Sequence, residues 1–262
     1  MTNPLAPKIL LLDIETAPIL GNVWSLWKQN VGLNQIKNDW YILSFCAKWL
    51  GDNKIIYQDQ SKVRDVEDDM TLLVKLHALL DEADYVVAHN GKNFDVKKIN
   101  ARLITKGFAP YSPITVIDTL LEVRKVANFT SNKLEWLTGQ LCEEKKLKHG
   151  KFPGFELWKE CLRGNPKAWR EMRLYNIQDV VSLEELYIKL RPWMEGHPNV
   201  ATQLHPDVPT CPKCGSDHLN AKGYRYTVAC QYVRYQCQAC GGWSRGRYTV
   251  NKGDTRKNLL SN

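Results

Sequence analysis

The stretch KILLLDIET, residues 8–16, decides the fold and carries the first candidate functional groups. Its apolar run predicts a buried β-strand from Lys8 to Asp13. Side chains alternate across a strand, so Asp13 and Glu15 project from the same face at the strand end. Two neighbouring carboxylates can be an ordinary polar strand end or part of a functional site. The rest of the sequence is needed to distinguish these alternatives.

The segments that follow alternate between strands and helices. Apolar runs bounded by turn residues predict strands, and apolar residues repeated every three to four positions predict helices. In chain order we predict strands at 41–50 and 54–57, a helix at 68–83, a strand at 85–88, a helix at 94–106, a strand at 115–117, and helices starting near 118, at 133–141 and at 155–162. This order predicts an α/β fold with a mixed sheet flanked by helices.

The last helix before a proline-rich segment has the clearest bounds. Asn165 is a suitable N-cap, Pro166 suits the first helical position, and Pro192 ends the helix. An apolar stripe facing the core is predicted from Leu174, Ile177, Val181, Leu186 and Leu190. Asp179 borders this stripe, where an acid is costly unless a cation or another partner accompanies it.

Two more side chains complete a candidate constellation. Asp95 follows a predicted strand and loop near the start of a helix, and Tyr175 lies one turn before Asp179. Each has an ordinary explanation, because the helix dipole favours an acid in the first turn, tyrosine is commonly a core residue, and Asp179 could pair with a lysine or arginine. Taken with the two acids of the first strand, their order and spacing favour a shared function.

This order resembles that of the DnaQ-like, or DEDD, exonucleases of the RNase H-like fold. Three motifs carry the resemblance: the first is Asp13-Ile14-Glu15-Thr16, the second Asn90-x-x-x-Phe94-Asp95, and the third, in its tyrosine form, Tyr175-x-x-x-Asp179. Leu174 stands where the histidine form of the family would place its histidine, which disfavours that form. The segment 116–120, VIDTL, resembles a stretch with an Asp-Thr pair between the second and third motifs. The resemblance covers residues 8–190.

The resemblance implies a 3′→5′ exonuclease that hydrolyses single-stranded nucleic acid, with DNA favoured over RNA, and releases nucleoside 5′-monophosphates. It also implies two Mg²⁺ or Mn²⁺ ions, for which carboxylates are suitable ligands. The metal ligands it implies are Asp13, Glu15, Asp95 and Asp179. Tyr175 would orient the attacking water, since a phenol with a pKa of about 10 is a poor base at neutral pH. Asn90 would contact the nucleic acid.

Other functions share parts of this pattern. An RNase H or transposase endonuclease has the same fold class and metals, although the Asp-x-Glu opening and the Tyr-x-x-x-Asp close favour the exonuclease. A second alternative is a nucleic-acid-binding or adaptor protein built on a catalytically quiet exonuclease scaffold. The five matched side chains argue against it, because a scaffold has no need of them. A third alternative is an exonuclease directed at RNA.

Four of the eight cysteines form two Cys-x-x-Cys pairs, each followed by glycine. The pairs are Cys211 with Cys214, and Cys237 with Cys240. Two such pairs can supply the four corners of a Zn²⁺ tetrahedron, and the layout resembles a zinc ribbon. We predict one structural Zn²⁺ here, with Cys230 and His218 as non-ligands.

The C-terminal segment is strongly basic. Residues 205–262 carry nine lysines and arginines against three aspartates, so they hold a net +6 of the chain's +8. Cations that meet phosphates interleave there with aromatic rings that stack on bases. We predict contacts with single-stranded nucleic acid through Arg225, Arg234, Tyr235, Trp243, Arg245 and Arg247. The alternative is that the ribbon docks on a protein partner.

The predicted organisation has four parts: an exonuclease domain at 1–191, a proline-rich linker at 192–209, a zinc ribbon at 210–250 and a basic tail at 251–262. No apolar run approaches the roughly 18 residues of a membrane span. The first residues also lack the charged and apolar parts of a signal peptide. We therefore expect a cytoplasmic protein without membrane contact.

Overall fold

The computed structural model describes residues 6–145 and 150–260. Their contacts divide them into two compact units. The first unit comprises the described residues of 8–121 and 129–187, and the second comprises those of 6–7, 122–128 and 188–260. The finer domain bounds proposed above, with a linker at 192–209, remain a prediction.

The predicted elements of residues 8–190 are all present, with ends that differ by up to three residues. In chain order the elements are β1 (Ile9–Thr16), β2 (Leu20–Gly21), a 3₁₀ turn (Leu33–Gln35), β3 (Ile36–Asn38), β4 (Ile42–Trp49), β5 (Ile55–Asp59), α1 (Met70–Glu82), β6 (Tyr85–Ala88), α2 (Asp95–Thr105), β7 (Thr115–Asp118), α3 (Thr119–Val126), α4 (Leu134–Leu141), α5 (Glu156–Leu162), α6 (Pro166–Leu190), a second 3₁₀ turn (Val200–Gln203), β8 (Leu219–Tyr226), β9 (Gln231–Cys237), β10 (Trp243–Thr249) and α7 (Gly253–Lys257). Sequence patterns did not predict β2, β3 or β10, and α7 lies within the predicted basic tail.

The first unit is built on a five-stranded mixed sheet in the order β5-β4-β1-β6-β7. Strand β1 is antiparallel to β4 and parallel to β6, which is parallel to β7. Parallel strands end at the same edge of a sheet. The acids at the end of β1, the loop after β6 and Asp118 at the end of β7 therefore meet at one edge. This architecture confirms the predicted fold class.

The two faces of β1 have different neighbours. Leu10, Leu12 and Ile14 belong to a buried cluster with the leucines of α1 and with Ile99 of α2. Because side chains alternate, Asp13 and Glu15 point to the other face. A second buried cluster is formed by residues from the segments near β4, α5 and α6. Its members are Ala17, Tyr41, Leu43, Leu157, Cys161, Ala168, Trp169 and Met172. The two acids therefore project on the side of the sheet on which α6 packs.

Helix α6 begins as predicted but turns a different face to the core. The Asn165 side chain accepts a hydrogen bond from the Lys167 amide at 3.0 Å, which confirms the N-cap. The predicted apolar stripe is wrong at Leu174, which is 60% exposed, whereas Tyr175 is buried. Successive residues are about 100° apart around a helix, so burial of Tyr175 turns Leu174 outward. Among the described residues, no helix is long and apolar enough to cross a membrane.

The second unit contains a three-stranded antiparallel sheet in the order β10-β9-β8. The proline-rich segment before it is partly ordered by its own contacts. The Val200 amide donates to the Pro212 carbonyl at 2.9 Å, and Val200 and Ala201 are buried. These contacts belong to the same compact unit as the sheet.

Candidate active site

Three carboxylates converge where β1 meets α6. One oxygen from each of Asp13, Glu15 and Asp179 lies within 4.8 Å of the others. Asp179 is buried, and Asp13 and Glu15 are half-buried. Like charges at this separation oppose one another, and a cation relieves that cost. Ligands on opposite sides of a Mg²⁺ ion lie roughly 4.2 Å apart, so the oxygen set fits a hard divalent cation.

A hydrogen-bonded chain holds Asp13 in place. The Ser44 hydroxyl donates to Asn176 Oδ1 at 3.1 Å, and Asn176 Nδ2 donates to Asp13 Oδ2 at 2.5 Å. Ser44 and Asn176 are fully buried. Sequence analysis did not identify Asn176. The available signal was a polar amide next to Tyr175, on the helix face that has to be buried.

Asp95 lies beside β1 but outside the group of three. Its Oδ1 accepts a hydrogen bond from the Ile14 amide at 3.1 Å, between the two acids of the strand. The side chain is 3% exposed. Burial, together with the charge of Asp118, raises the pKa of the Asp95 carboxyl to about 7, although the Ile14 hydrogen bond acts in the opposite direction. The structure therefore places Asp95 at the site without bringing it into the three-carboxylate cluster.

Tyr175 lies one turn before Asp179 on α6 and is buried. Its ring meets the Trp158 ring of α5 edge-on, with 6.1 Å between the ring centroids. This contact packs the Tyr175 ring against α5, which limits the directions in which its hydroxyl can point.

Asp118 organises the loop that carries Asn90. Its Oδ1 accepts hydrogen bonds from the amides of Asn90, Leu120 and Leu121 at 3.0, 3.1 and 3.2 Å. Its Oδ2 accepts one from the Lys92 amide at 3.0 Å. Asn90 has a φ of 72°, a left-handed conformation that asparagine adopts more readily than most residues. One carboxylate thus joins the end of β7 to the turn before α2.

We expect Asp118→Asn to destabilise the first unit by about 1–3 kcal/mol. An amide has one acceptor oxygen, so its NH₂ group would face a backbone N–H donor. Urea unfolding and hydrogen exchange of the loop amides would measure the loss. Asp81→Asn is the matched control, because the exposed Asp81 accepts hydrogen bonds from a single residue, Ser112, among the described contacts. Equal unfolding midpoints for the two variants would contradict this role.

The four paired cysteines converge in the second unit. The sulfur atoms of Cys211, Cys214, Cys237 and Cys240 all lie within 4.8 Å of one another. Both pairs adopt the same turn, in which the glycine amide donates to the first cysteine's carbonyl at 2.9 Å. Gly215 and Gly241 both have a φ of 77°, which a side chain would oppose. Cys230 and His218 lie outside this group. Four sulfurs in this arrangement fit a tetrahedral Zn²⁺ site.

The thiols of the cluster lie in different electrostatic environments. Burial raises the pKa of the Cys211 and Cys214 thiols. Burial also opposes ionisation of Cys237, but hydrogen bonds from the amides of Cys240 and Ala239 to its sulfur lower its pKa to about 7. Zinc binds the thiolate form, so the surroundings of Cys237 favour metal binding.

The nucleic-acid-binding residues predicted in the ribbon fall in two neighbouring grooves of the second unit. Arg225, Arg234, Trp243 and Arg245 line one groove together with Lys213. Tyr235, Arg245 and Arg247 line the other. The Arg234 guanidinium lies 4.7 Å from the centre of the Trp243 ring, and that of Arg245 lies 4.0 Å from the Tyr232 ring. The cations and rings are therefore already stacked on one another.

The fold and the site define the class to which the chain belongs. Residues 30–191, more than half of the chain, match the RNase H superfamily. The chain is a member of that superfamily and has its DnaQ-like form of the fold.

Two similar proteins are DNA polymerases. The chain is 36% identical over 85 residues to a DNA polymerase III PolC-type from Ureaplasma parvum, and this match covers 32% of the chain and 6% of the polymerase. The structure of the family B DNA polymerase from the hyperthermophilic archaeon Pyrobaculum calidifontis superposes with a TM-score of 0.50 at 15% identity. That superposition covers 71% of this chain and 25% of the other, and it shows a shared fold. The chain thus spans only a small part of either polymerase.

Proposed function

We propose that this protein is a metal-dependent 3′→5′ exonuclease that releases nucleoside 5′-monophosphates from single-stranded nucleic acid. The convergence of Asp13, Glu15 and Asp179 carries the proposal. Two strand positions and one position on a distant helix supply an oxygen cluster suited to Mg²⁺ or Mn²⁺. Membership of the RNase H superfamily supports nuclease chemistry at this cluster.

The side chains then have distinct tasks. Two divalent ions, when bound, activate a water molecule and stabilise the oxygen that leaves. The ions are held by Asp13, Glu15 and Asp179, and Asp95 contributes to binding of the second ion. Asn176 keeps the Asp13 carboxylate turned toward the cluster through the hydrogen bond described above. Tyr175 orients the attacking water.

The second unit contributes to substrate binding in this proposal. A Zn²⁺ ion at the four cysteines holds the ribbon, and the grooves lined by Arg225, Arg245 and Trp243 contact phosphates and bases. The relation to a DNA polymerase III supports DNA as the substrate over RNA. If the ribbon instead bound a protein, loss of its groove cations would leave oligonucleotide affinity unchanged.

Digestion of end-labelled oligonucleotides tests the proposal. We expect a 5′-labelled single strand to give a ladder that shortens with time in the presence of Mg²⁺ or Mn²⁺. A 3′-labelled strand should release its label as a mononucleotide at once. Chelation of the divalent ions should stop both reactions, because the carboxylates alone do not activate water.

A circular single strand is the control, since it offers no 3′ end. Its cleavage into internal fragments would indicate an endonuclease. Binding without hydrolysis in either metal would favour a catalytically quiet scaffold. Faster digestion of RNA than of DNA strands would reverse the proposed substrate preference.

A further inference from the structure

The loop between β2 and β3 exposes an unusual set of large apolar side chains. Trp24 is 96% exposed and Trp27 is 82% exposed, and Leu26 and Leu33 of the same loop are 84% and 88% exposed. Single exposed apolar residues are common on protein surfaces, but several large ones exposed in one short loop indicate an interaction site.

Hydrogen bonds within the loop fix its shape. At the tip, Gln29 Oε1 accepts from the amides of Trp24 and Ser25 at 3.2 and 3.3 Å, and the Ser25 hydroxyl donates to the Trp27 carbonyl at 2.9 Å. At the base, the Asn22 amide donates to the Gln35 carbonyl at 2.8 Å, and Gln35 Nε2 donates to the Asn22 carbonyl at 2.9 Å. The backbone that carries the tryptophans is therefore ordered before any ligand arrives, which lowers the entropy cost of binding.

The charge of this segment identifies the kind of ligand. Between Glu15 and Asp39 the sequence contains no acidic residue, and it contains Lys28 and Lys37. Cations, neutral amides and exposed indole rings together match a polyanion with flat bases, since bases stack on aromatic rings and phosphates attract lysine. Binding of an apolar protein partner would not require a segment without acidic residues.

The loop is also close in sequence to the carboxylate cluster. Trp24 lies eight residues after Thr16, the last residue of β1, and eight residues span at most about 29 Å. We propose that Trp24 and Trp27 form a base-stacking site for single-stranded nucleic acid whose 3′ end lies at the carboxylates. This inference rests on the proposed exonuclease function and adds a binding site to it.

A comparison of oligonucleotides with and without bases tests the site. The probes are fluorescein-labelled oligo(dT) and the same strand with abasic residues at its 3′ end, bound to the full, zinc-loaded chain without added Mg²⁺ or Mn²⁺. Anisotropy should show that Trp24→Ala and Trp27→Ala each weaken oligo(dT) binding by roughly fivefold or more. The same substitutions should leave binding of the abasic strand almost unchanged, because the stacking partner is already absent.

Two control variants separate stacking from other effects. Trp136→Ala removes an indole that is 41% exposed elsewhere in the first unit, and it should not change oligo(dT) affinity. Trp24→Phe should retain most of it, because a phenyl ring still stacks.

The outcomes separate this inference from the proposed function. Equal affinity of the double alanine variant and the wild type for oligo(dT) would overturn the stacking site, even in an active exonuclease. A loss of similar size for both probes would also overturn it, because the contact would then not involve bases. A base-dependent loss in a protein without hydrolysis would support the site and reject the exonuclease.

Discussion

Asp13→Asn is expected to lower the hydrolysis rate by about 10³-fold or more. The change keeps the size of the side chain and an oxygen that can accept from Asn176. It removes one of three negative charges, which weakens binding of the divalent ions. Metal ions supply several kcal/mol of transition-state stabilisation, and each 1.36 kcal/mol is a tenfold change in rate. Single-turnover digestion of a labelled strand would measure the effect.

The folded state should tolerate this substitution. Without divalent ions, loss of one charge from the group of Asp13, Glu15 and Asp179 reduces repulsion, so the unfolding midpoint should stay the same or rise. Asp52→Asn, in an exposed turn, is the control and should keep full activity. A near wild-type rate for Asp13→Asn would show that the carboxylate cluster is not the active site.

Cys211→Ser is expected to unfold the ribbon. Structural zinc sites in small peptides have apparent binding free energies of about 10–16 kcal/mol at pH 7, and a hydroxyl is a poor substitute for thiolate. We expect the zinc content to fall and proteolysis within residues 210–250 to accelerate. Oligonucleotide affinity should decrease and its salt dependence flatten, because the groove cations lose their arrangement. The rate at saturating substrate should change little if those contacts are the same in the ground and transition states.

Cys230→Ser is the matched control for this experiment. Cys230 lies in the same sheet unit but outside the four-sulfur group, so its replacement should retain zinc and protease resistance. If Cys211→Ser kept a full complement of zinc, the proposed ligand set would be wrong.

The sequence predicted the elements with strong local patterns and missed those that depend on tertiary contacts. The apolar run of β1 and the capped start of α6 were sufficient to locate both. The third ribbon strand, Trp243–Thr249, has only small and basic residues between its two aromatic residues, so no apolar periodicity marks it. The predicted buried face of α6 was wrong at Leu174. The prediction used apolar residues only, whereas the helix also buries the polar side chains of Asn176 and Asp179.

The candidate site was predicted one side chain at a time, without the contacts between them. Spacing identified Asp13, Glu15 and Asp179, and the structure brings them together. Spacing could not show that Asp95 bonds the Ile14 amide or that Asn176 bonds Asp13, since such bonds join residues far apart in the chain. The sequence also did not predict that Trp24 is exposed, because tryptophan is more often a core residue.

The bond between Asn176 and Asp13 also sets when the site can exist during translation. Its two residues are 163 positions apart, so β1 leaves the ribosome well before α6 has been made. At about 5–20 residues per second, this interval is roughly 8–33 s. Throughout it, the growing chain holds Asp13 and Glu15 without the helix that completes the cluster. A nascent chain of this protein therefore has no assembled carboxylate cluster until α6 has left the ribosome.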